Sequence, residues 1–264
     1  MNNEALHLTP GQMAYATRID DTVHRATGEW TPAVHHLLRY LDKKKFEGVP
    51  RVLGIDRHGR EMLAFIEGDA GFFSLSKTTP ANLWSDEALS EAAQFLRRFH
   101  DITAHYKPPK NAHWQISDPT NPQVICHNDF APYNCIFENG HFKAVVDFDT
   151  VGPGPRISDI AFAAYSFLPL FSNEKRKWVG LPANTDLARR LRIFCDAYGI
   201  EYCNGIVEAI IKRVQEQRQW VRDQAARGEP RSVAKVEEGH IEGYEEDLMF
   251  IIDQKDRLET AMLH

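Results

Sequence analysis

The sequence predicts an α+β fold in two unequal parts, and three observations carry that prediction. β-like alternation and turn chemistry are confined to the first 67 residues, which hold a single helical segment. From Ile157 onward the apolar residues recur at helical spacing. Between these regions, short β-branched runs flank a polar loop, Asp129 to Asn134. The 264 residues amount to between one and two average domains. With 43% hydrophobic and 26% charged residues, the chain lacks the composition that keeps a protein disordered.

In chain order, Gln12 to Ile19 reads as a strand, Asp20-Asp21 as a turn, and Thr22 to Arg25 as the return strand. A helix then starts with Thr31 as N-cap and Pro32 at the first helical position. Val34, Leu37, Leu38 and Leu41 share its inner face, and it is expected to stop near Phe46-Glu47-Gly48. Val52 to Ile55 and Glu61 to Ile66 form a hairpin through the turn chemistry of Asp56-Arg57-His58-Gly59. Residues 1–67 therefore read as a small sheet lobe and 68–264 as a mainly helical one. In the second, Ser85 caps a helix whose Leu89, Ala92, Ala93, Leu96 and Phe99 face inward. Val124 to Cys126 and Lys143 to Phe148 are short strand-like runs. Helices are expected over 157–168, 185–198, 204–226 and 236–262, without internal repeat or low-complexity tract.

Lys and Arg total 31 against 37 Asp and Glu, so a formal charge of −6 gives no overall attraction to nucleic acid or to an anionic membrane. The best apolar run, Ile160 to Phe171, is broken by Ser166 and Pro169 and falls short of the ~18 residues of a membrane span. Met1-Asn2-Asn3-Glu4 has neither the basic start nor the apolar run of a secretory signal. Cys126, Cys135, Cys195 and Cys203 make no CxxC pair and no dense disulfide scaffold. The expectation is a cytoplasmic protein with neither nucleic acid nor membrane as partner, its oligomeric state left open.

The chemistry concentrates in His127-Asn128-Asp129-Phe130-Ala131-Pro132-Tyr133-Asn134 and in Val145-Val146-Asp147-Phe148-Asp149, with Asp147 thirteen positions after Asn134. Two acidic groups and an amide just after short strands are what magnesium-assisted phosphoryl transfer requires. One carboxylate accepts the proton of the attacking hydroxyl; an amide oxygen and a second carboxylate hold Mg2+ against the nucleotide phosphates. The spacing H-x-D-x-x-x-x-N with a later D-F matches the catalytic-loop and metal-binding signatures of kinases.

On these residues the chain resembles the aminoglycoside phosphotransferase family, also called the phosphotransferase enzyme family, whose relatives include choline and homoserine kinases. The resemblance is strongest over Val124 to Tyr165 and extends more weakly from Thr22 to the C-terminal helices. It implies a protein-kinase-like two-lobed fold with a reduced N-terminal β lobe, and transfer of the ATP γ-phosphate to a hydroxyl of a small metabolite or aminoglycoside-like acceptor. Asp129 is implied as catalytic base, with His127 bracing the loop. Asn134 and Asp147 are implied as metal ligands, with Asp149 assisting a second ion. Asp159, in Ser158-Asp159-Ile160-Ala161, matches a family position that supports the catalytic loop, and residues 185–262 would cover the acceptor. Asn128 replaces the Arg that pairs with a phosphorylated activation loop, and eleven residues between Asp147 and Asp159 are too few for a peptide-seating segment. The acceptor is therefore expected to be a small molecule.

The nucleotide side carries less. Thr9-Pro10-Gly11-Gln12-Met13, where a phosphate-binding loop is expected, has one glycine. Arg25 stands where the family has a phosphate-binding Lys, and also reads as an exposed charge at a strand end. His35 lies near the place of the Glu that pairs with that Lys, and reads as a helix-face residue. Leu63 to Gly68 resembles the interlobe hinge, where the base of ATP or GTP would bond the backbone of Ala64 and Ile66. The acidic series Glu237, Glu238, Glu242, Glu245, Glu246 and Asp247 reads as a solvated helix face, or as a wall for a polycation.

Two further function classes stand beside the kinase: a kinase-like module that binds nucleotide or metabolite without transfer, and a metal-dependent hydrolase. Substituting Asp147→Ala is expected to abolish phosphoryl transfer while circular dichroism shows an intact fold, because it removes the metal's charge neutralisation. Retained turnover defeats that assignment.

Overall fold

The computed structural model describes residues 6–7, 16–71, 81–182, 184–200, 205–260 and 262. Residues 9–13, the expected phosphate loop, and Cys203 lie outside them. Five antiparallel strands come first: β1 (Leu6–His7), β2 (Thr17–Ile19), β3 (Thr22–Arg25), β4 (Val52–Ile55) and β5 (Glu61–Ala64), in the order β1-β2-β3-β5-β4. Helix α1 (Thr31–Lys43) crosses between β3 and β4. It begins one residue before the expected start, with Thr31 already helical, and the Thr31 hydroxyl accepts from the Gly28 N–H at 2.9 Å. It ends at Lys43, before Phe46, since Lys45 adopts a left-handed φ of 56°.

The rest of the chain opens with β6 (Asp69–Ala70) and α2 (Asp86–Thr103), the latter capped as expected by Ser85, whose Oγ accepts from Ala88 N–H at 3.0 Å. Then follow β7 (Val124–Cys126), β8 (Cys135–Glu138), β9 (His141–Val145) and β10 (Gly152–Gly154). Two nested antiparallel ladders order this region. β7 pairs with β10, placing Cys126 opposite Gly152, and inside that loop β8 pairs with β9, placing Cys135 opposite Val145. Residues far apart along the sequence are thus returned to one place: His127 and Val151 leave the outer ladder together, and Asn134 and Val146 leave the inner one. β9 stops at Val145 rather than Phe148, because Asp147 takes a left-handed φ of 62° and Phe148–Thr150 turns tightly.

Helices complete the molecule: α3 (Arg156–Phe167), α4 (Asn173–Trp178), α5 (Leu187–Tyr198), α6 (Ile206–Ala226), α7 (Pro230–Glu237) and α8 (His240–Thr260). The single helix expected over 236–262 is two, broken at Gly239, whose φ of +79° no helix interior accommodates. α3 is buried from Asp159 to Phe167, which accounts for its continuous apolar run. Among the described residues no helix is long and apolar enough to cross a membrane. The core beneath the ladders is aromatic: Phe95 of α2 stacks on Phe130 at 6.1 Å and meets Phe142 at 4.9 Å, and Phe130 meets Phe167 at 5.6 Å. Such contacts fix the loop that starts at His127 to the helices behind it.

Gly152 is the tightest point of the outer ladder. A Cβ there would come within 1.9 Å of the Ile116 carbonyl oxygen. Substituting Gly152→Ala is expected to cost about 1–3 kcal/mol of overpacking strain, read as a lower urea midpoint with an unchanged m-value.

Candidate active site

Asp159, fully buried on the first turn of α3, holds the loop that follows β7. Its Oδ2 accepts from the His127 N–H at 2.7 Å and its Oδ1 from the Asn128 N–H at 2.8 Å, while the His100 imidazole lies 3.0 Å from Oδ2. Burial works to raise this carboxyl, and its hydrogen bonds to the His100 side chain and the His127 backbone outweigh it, leaving it below its ordinary value. Asn128 sits at φ 65° and is fixed on both sides: its Nδ2 donates to Thr150 O at 2.8 Å, and its carbonyl accepts from Arg213 Nη2 at 2.9 Å. Arg213 comes from α6 and is steadied by Gln217 Oε1 at 3.0 Å.

His127 is fully buried. Its Nε2 donates to Val146 O at 3.2 Å, and its ring meets Phe148 and Phe130 at 5.0 and 6.1 Å between centroids. Burial pushes its pKa down despite the neighbouring carboxylates, so the imidazole is neutral and joins the loop to the segment before Asp147. Nδ1 has no hydrogen-bond partner among the described residues.

Asp129 follows with both oxygens engaged. Oδ1 accepts from the Tyr133 hydroxyl at 2.5 Å and Oδ2 from Asn134 Nδ2 at 2.9 Å. Burial raises this carboxyl above its ordinary value, with Tyr133 and the Lys235 charge acting against the rise. Asn134 also donates to Asp129 O at 3.0 Å, so its amide nitrogen is committed and its Oδ1 is the atom it offers to a cation. The inner ladder holds Asn134 beside the next segment through Val146 N–H donating to Asn134 O at 2.8 Å.

Arg25 unites the remaining charges. Its Nε donates to Glu61 Oε1 at 2.5 Å, Nη1 to Asp147 Oδ1 at 2.8 Å and Nη2 to Asp149 Oδ1 at 2.5 Å. The His35 imidazole lies 2.8 Å from the other Glu61 oxygen. Arg25 is therefore part-buried in a carboxylate cluster rather than exposed at a strand end, and His35 bonds to a carboxylate rather than replacing one. Burial tends to raise the Asp147 carboxyl, and Arg25 outweighs it, holding the group below the usual range. Burial, together with Asp147 and Glu61, pushes Asp149 up to about 6 against the opposing Arg25 charge. One guanidinium does not balance three carboxylates, and the uncommitted oxygens of Asp147 and Asn134 are the hard donors that Mg2+ takes. The residues fit that ion.

At the expected hinge, Ala64 N–H donates to Arg51 O at 2.9 Å and Phe65 N–H to Asp21 O at 2.8 Å. The Ala64 donor is thus consumed by the sheet; among the described residues Ile66 N–H makes no hydrogen bond. Two of the six acidic C-terminal residues are already paired within the chain. Glu245 pairs with Arg222 at 2.9 Å and Arg218 at 3.3 Å, and buried Asp247 accepts from Tyr165 at 2.7 Å and Lys175 at 2.8 Å. The charges that act on Asp129 and Asp147 from α7 are those of Lys235 and Arg231, one helical turn apart. Glu61, Tyr133 and Arg213 are the site's additions to the sequence reading. Only Glu61 carries a sequence signal: it shares the inward face of β5 with Leu63, an acidic residue at a core position.

His127 generates a pH prediction. Its native pKa lies below the ~6.5 of an unfolded imidazole, so the unfolded chain binds more protons as the pH falls through that value. Its contribution to stability is complete above pH ~6.5 and is lost as acid is added, with a limiting slope of about 1.4 kcal/mol per pH unit. Urea midpoints at pH 7.5 and 5.5 should differ less in His127→Asn than in the wild type; an equal difference removes His127 as the cause.

The family model described as the phosphotransferase enzyme family matches residues 110–190. The trifolitoxin immunity protein of Rhizobium leguminosarum bv. trifolii is 32% identical over 217 residues, 79% of this chain and 80% of that protein. Among solved structures, the ADP-bound aminoglycoside phosphotransferase APH(2'')-Ib superposes with a TM-score of 0.52 at 16% identity, covering 94% of this chain and 93% of that one. Macrolide 2'-phosphotransferase MphH of Brachybacterium faecium gives 0.53 at 14% identity over 83% and 85%. A choline/ethanolamine kinase family protein of Mesorhizobium loti gives 0.51 at 13% identity over 89% and 88%. These structures share the kinase-like fold, and with a relative so similar over four-fifths of its length, the chain belongs to the phosphotransferase enzyme family.

Proposed function

We propose that the protein is a Mg2+-dependent kinase that transfers the γ-phosphoryl group of ATP to the hydroxyl of a small molecule in the cytoplasm. The observation that carries this reading is Asp129, a carboxylate fixed on one side by Asn134 and already receiving a hydroxyl, that of Tyr133, on the other. In the proposed reaction the acceptor hydroxyl donates to Asp129, its oxygen forms the bond to the γ-phosphorus, the bond to the β,γ-bridging oxygen breaks, and the proton passes to Asp129. Its raised pKa suits a group that must take up a proton. Asn134 and Asp147 would hold Mg2+, which when bound neutralises phosphate charge. Ile66 N–H is the hinge donor left for the purine. Asp159, His127 and Arg213 position the loop without touching substrate.

Likeness to an immunity protein supports a toxin or antibiotic as acceptor, beside a metabolite alcohol. A second reading, a nucleotide-binding module without transfer, draws on Arg25, which occupies oxygens of Asp147 and Asp149.

Thermal melting with ATP or GTP, with and without Mg2+, separates the two when combined with ADP release in an acceptor screen. The kinase reading expects a magnesium-dependent rise in melting temperature, retained in Asp129→Asn while transfer falls about 10²–10⁴-fold. A nucleotide shift without transfer to any acceptor favours the binding module. The absence of a shift with every nucleotide defeats both.

A further inference from the structure

We infer that Arg25 is a built-in cation that takes the place of one divalent ion, so that nucleotide is held with a single metal, on Asn134 and Asp147, and Asp149 is not a ligand. The inference rests on the kinase reading above and concerns how its charges are arranged. A guanidinium presents five donors in a rigid plane and keeps its charge at any working pH. Here three of its nitrogens each meet a different carboxylate, on β5 and on both sides of Phe148. Nη2 lies 2.5 Å from Asp149 Oδ1, and the Trp30 indole donates to the same carboxyl. A divalent ion on Asp149 would have to lie against this fixed positive charge. Moving Arg25 away would strip Glu61, only 2% exposed, of its one guanidinium partner and leave it with His35 alone.

Asn134 and Asp147 are placed differently. Asn134 offers Oδ1 because its nitrogen is committed to Asp129, and Asp147, which like Asp149 gives Oδ1 to Arg25, has among the described residues no second side-chain donor such as Trp30 is to Asp149. Those donors, with phosphate oxygens and water, suffice for one octahedral ion. The same Arg25 contacts tie β3 to the segment after β9, so the cation supplied by the chain also links the first sheet to the catalytic segment.

The test counts ions directly, by electron paramagnetic resonance titration of Mn2+ against the full-length protein saturated with the non-hydrolysable ATP analogue AMP-PNP. The expected count is one tightly bound Mn2+ per wild-type chain, two in Arg25→Gln, and one again in the Arg25→Gln/Asp149→Asn double variant. Two ions in the wild type overturn the inference and leave the kinase reading intact. A folded Arg25→Gln chain that binds one ion or none overturns it as well, since Arg25 then holds something other than the place of an ion. Should Arg25→Gln fail to fold by circular dichroism, Asp149→Asn alone decides: an unchanged count of one supports the inference, and loss of the ion overturns it. No ion in the wild type with AMP-PNP removes the kinase reading and this inference together.

Discussion

The loop that would do the chemistry is held by a carboxylate it does not contain. Asp159, at the start of α3, uses its two oxygens to fix the successive N–H groups of His127 and Asn128, with His100 completing the arrangement from α2. A buried carboxylate survives only when its lone pairs are satisfied, and here the partners that satisfy it are the backbone of the functional loop. The left-handed turn at Asn128, which re-aims the chain toward Asp129, persists because Asp159, Thr150 and Arg213 all hold that residue. Remove this fixing point and the spacing of Asp129, Asn134 and Asp147 loses its meaning.

A second constraint is electrostatic. Glu61 is buried and Asp147 and Asp149 lie half-buried beside it, and a cluster of that sign is tolerated there around a cation. Arg25 is the cation the chain supplies. Its planar fork explains why Arg rather than Lys stands at this position, since an ammonium cannot address three carboxylates in one plane. Stability and function are therefore coupled in the same few atoms, and the strand that bears Arg25 cannot drift from the segment that bears Asp147 without exposing unpaired charge.

The sequence discloses the parts of this site that are local. His127 to Asn134 and Asp147 to Asp149 are contiguous runs, and their spacing alone points to phosphoryl transfer. Capping at Ser85 and the apolar faces of α1 and α2 are equally local, and the structure has them near their expected places. What the sequence hides is pairing across distance. Arg25 lies 36 residues from Glu61 and more than a hundred from Asp147, so nothing in its own neighbourhood marks it as anything but a strand-end charge. His35 misleads for a similar reason: the carboxylate arrives from β5 instead of from α1. The break between α7 and α8 turns on a single residue, Gly239, inside a stretch whose apolar period continues across it. β8 is marked chiefly by Asn139-Gly140, both in left-handed conformations, the chemistry of a tight hairpin.

The nested ladders have a consequence for how such a chain can change over time. Because the outer ladder fixes His127 and the inner one fixes Asn134 against Val146, the tip between β8 and β9 carries no part of the site. Residues can be added or removed around Asn139-Gly140 without altering the distance between Asp129 and the pair Asn134 and Asp147. Lineages descended from such a chain are free to vary the length of that hairpin, as a handle for new surfaces, while the reactive geometry stays insulated behind two sets of backbone hydrogen bonds.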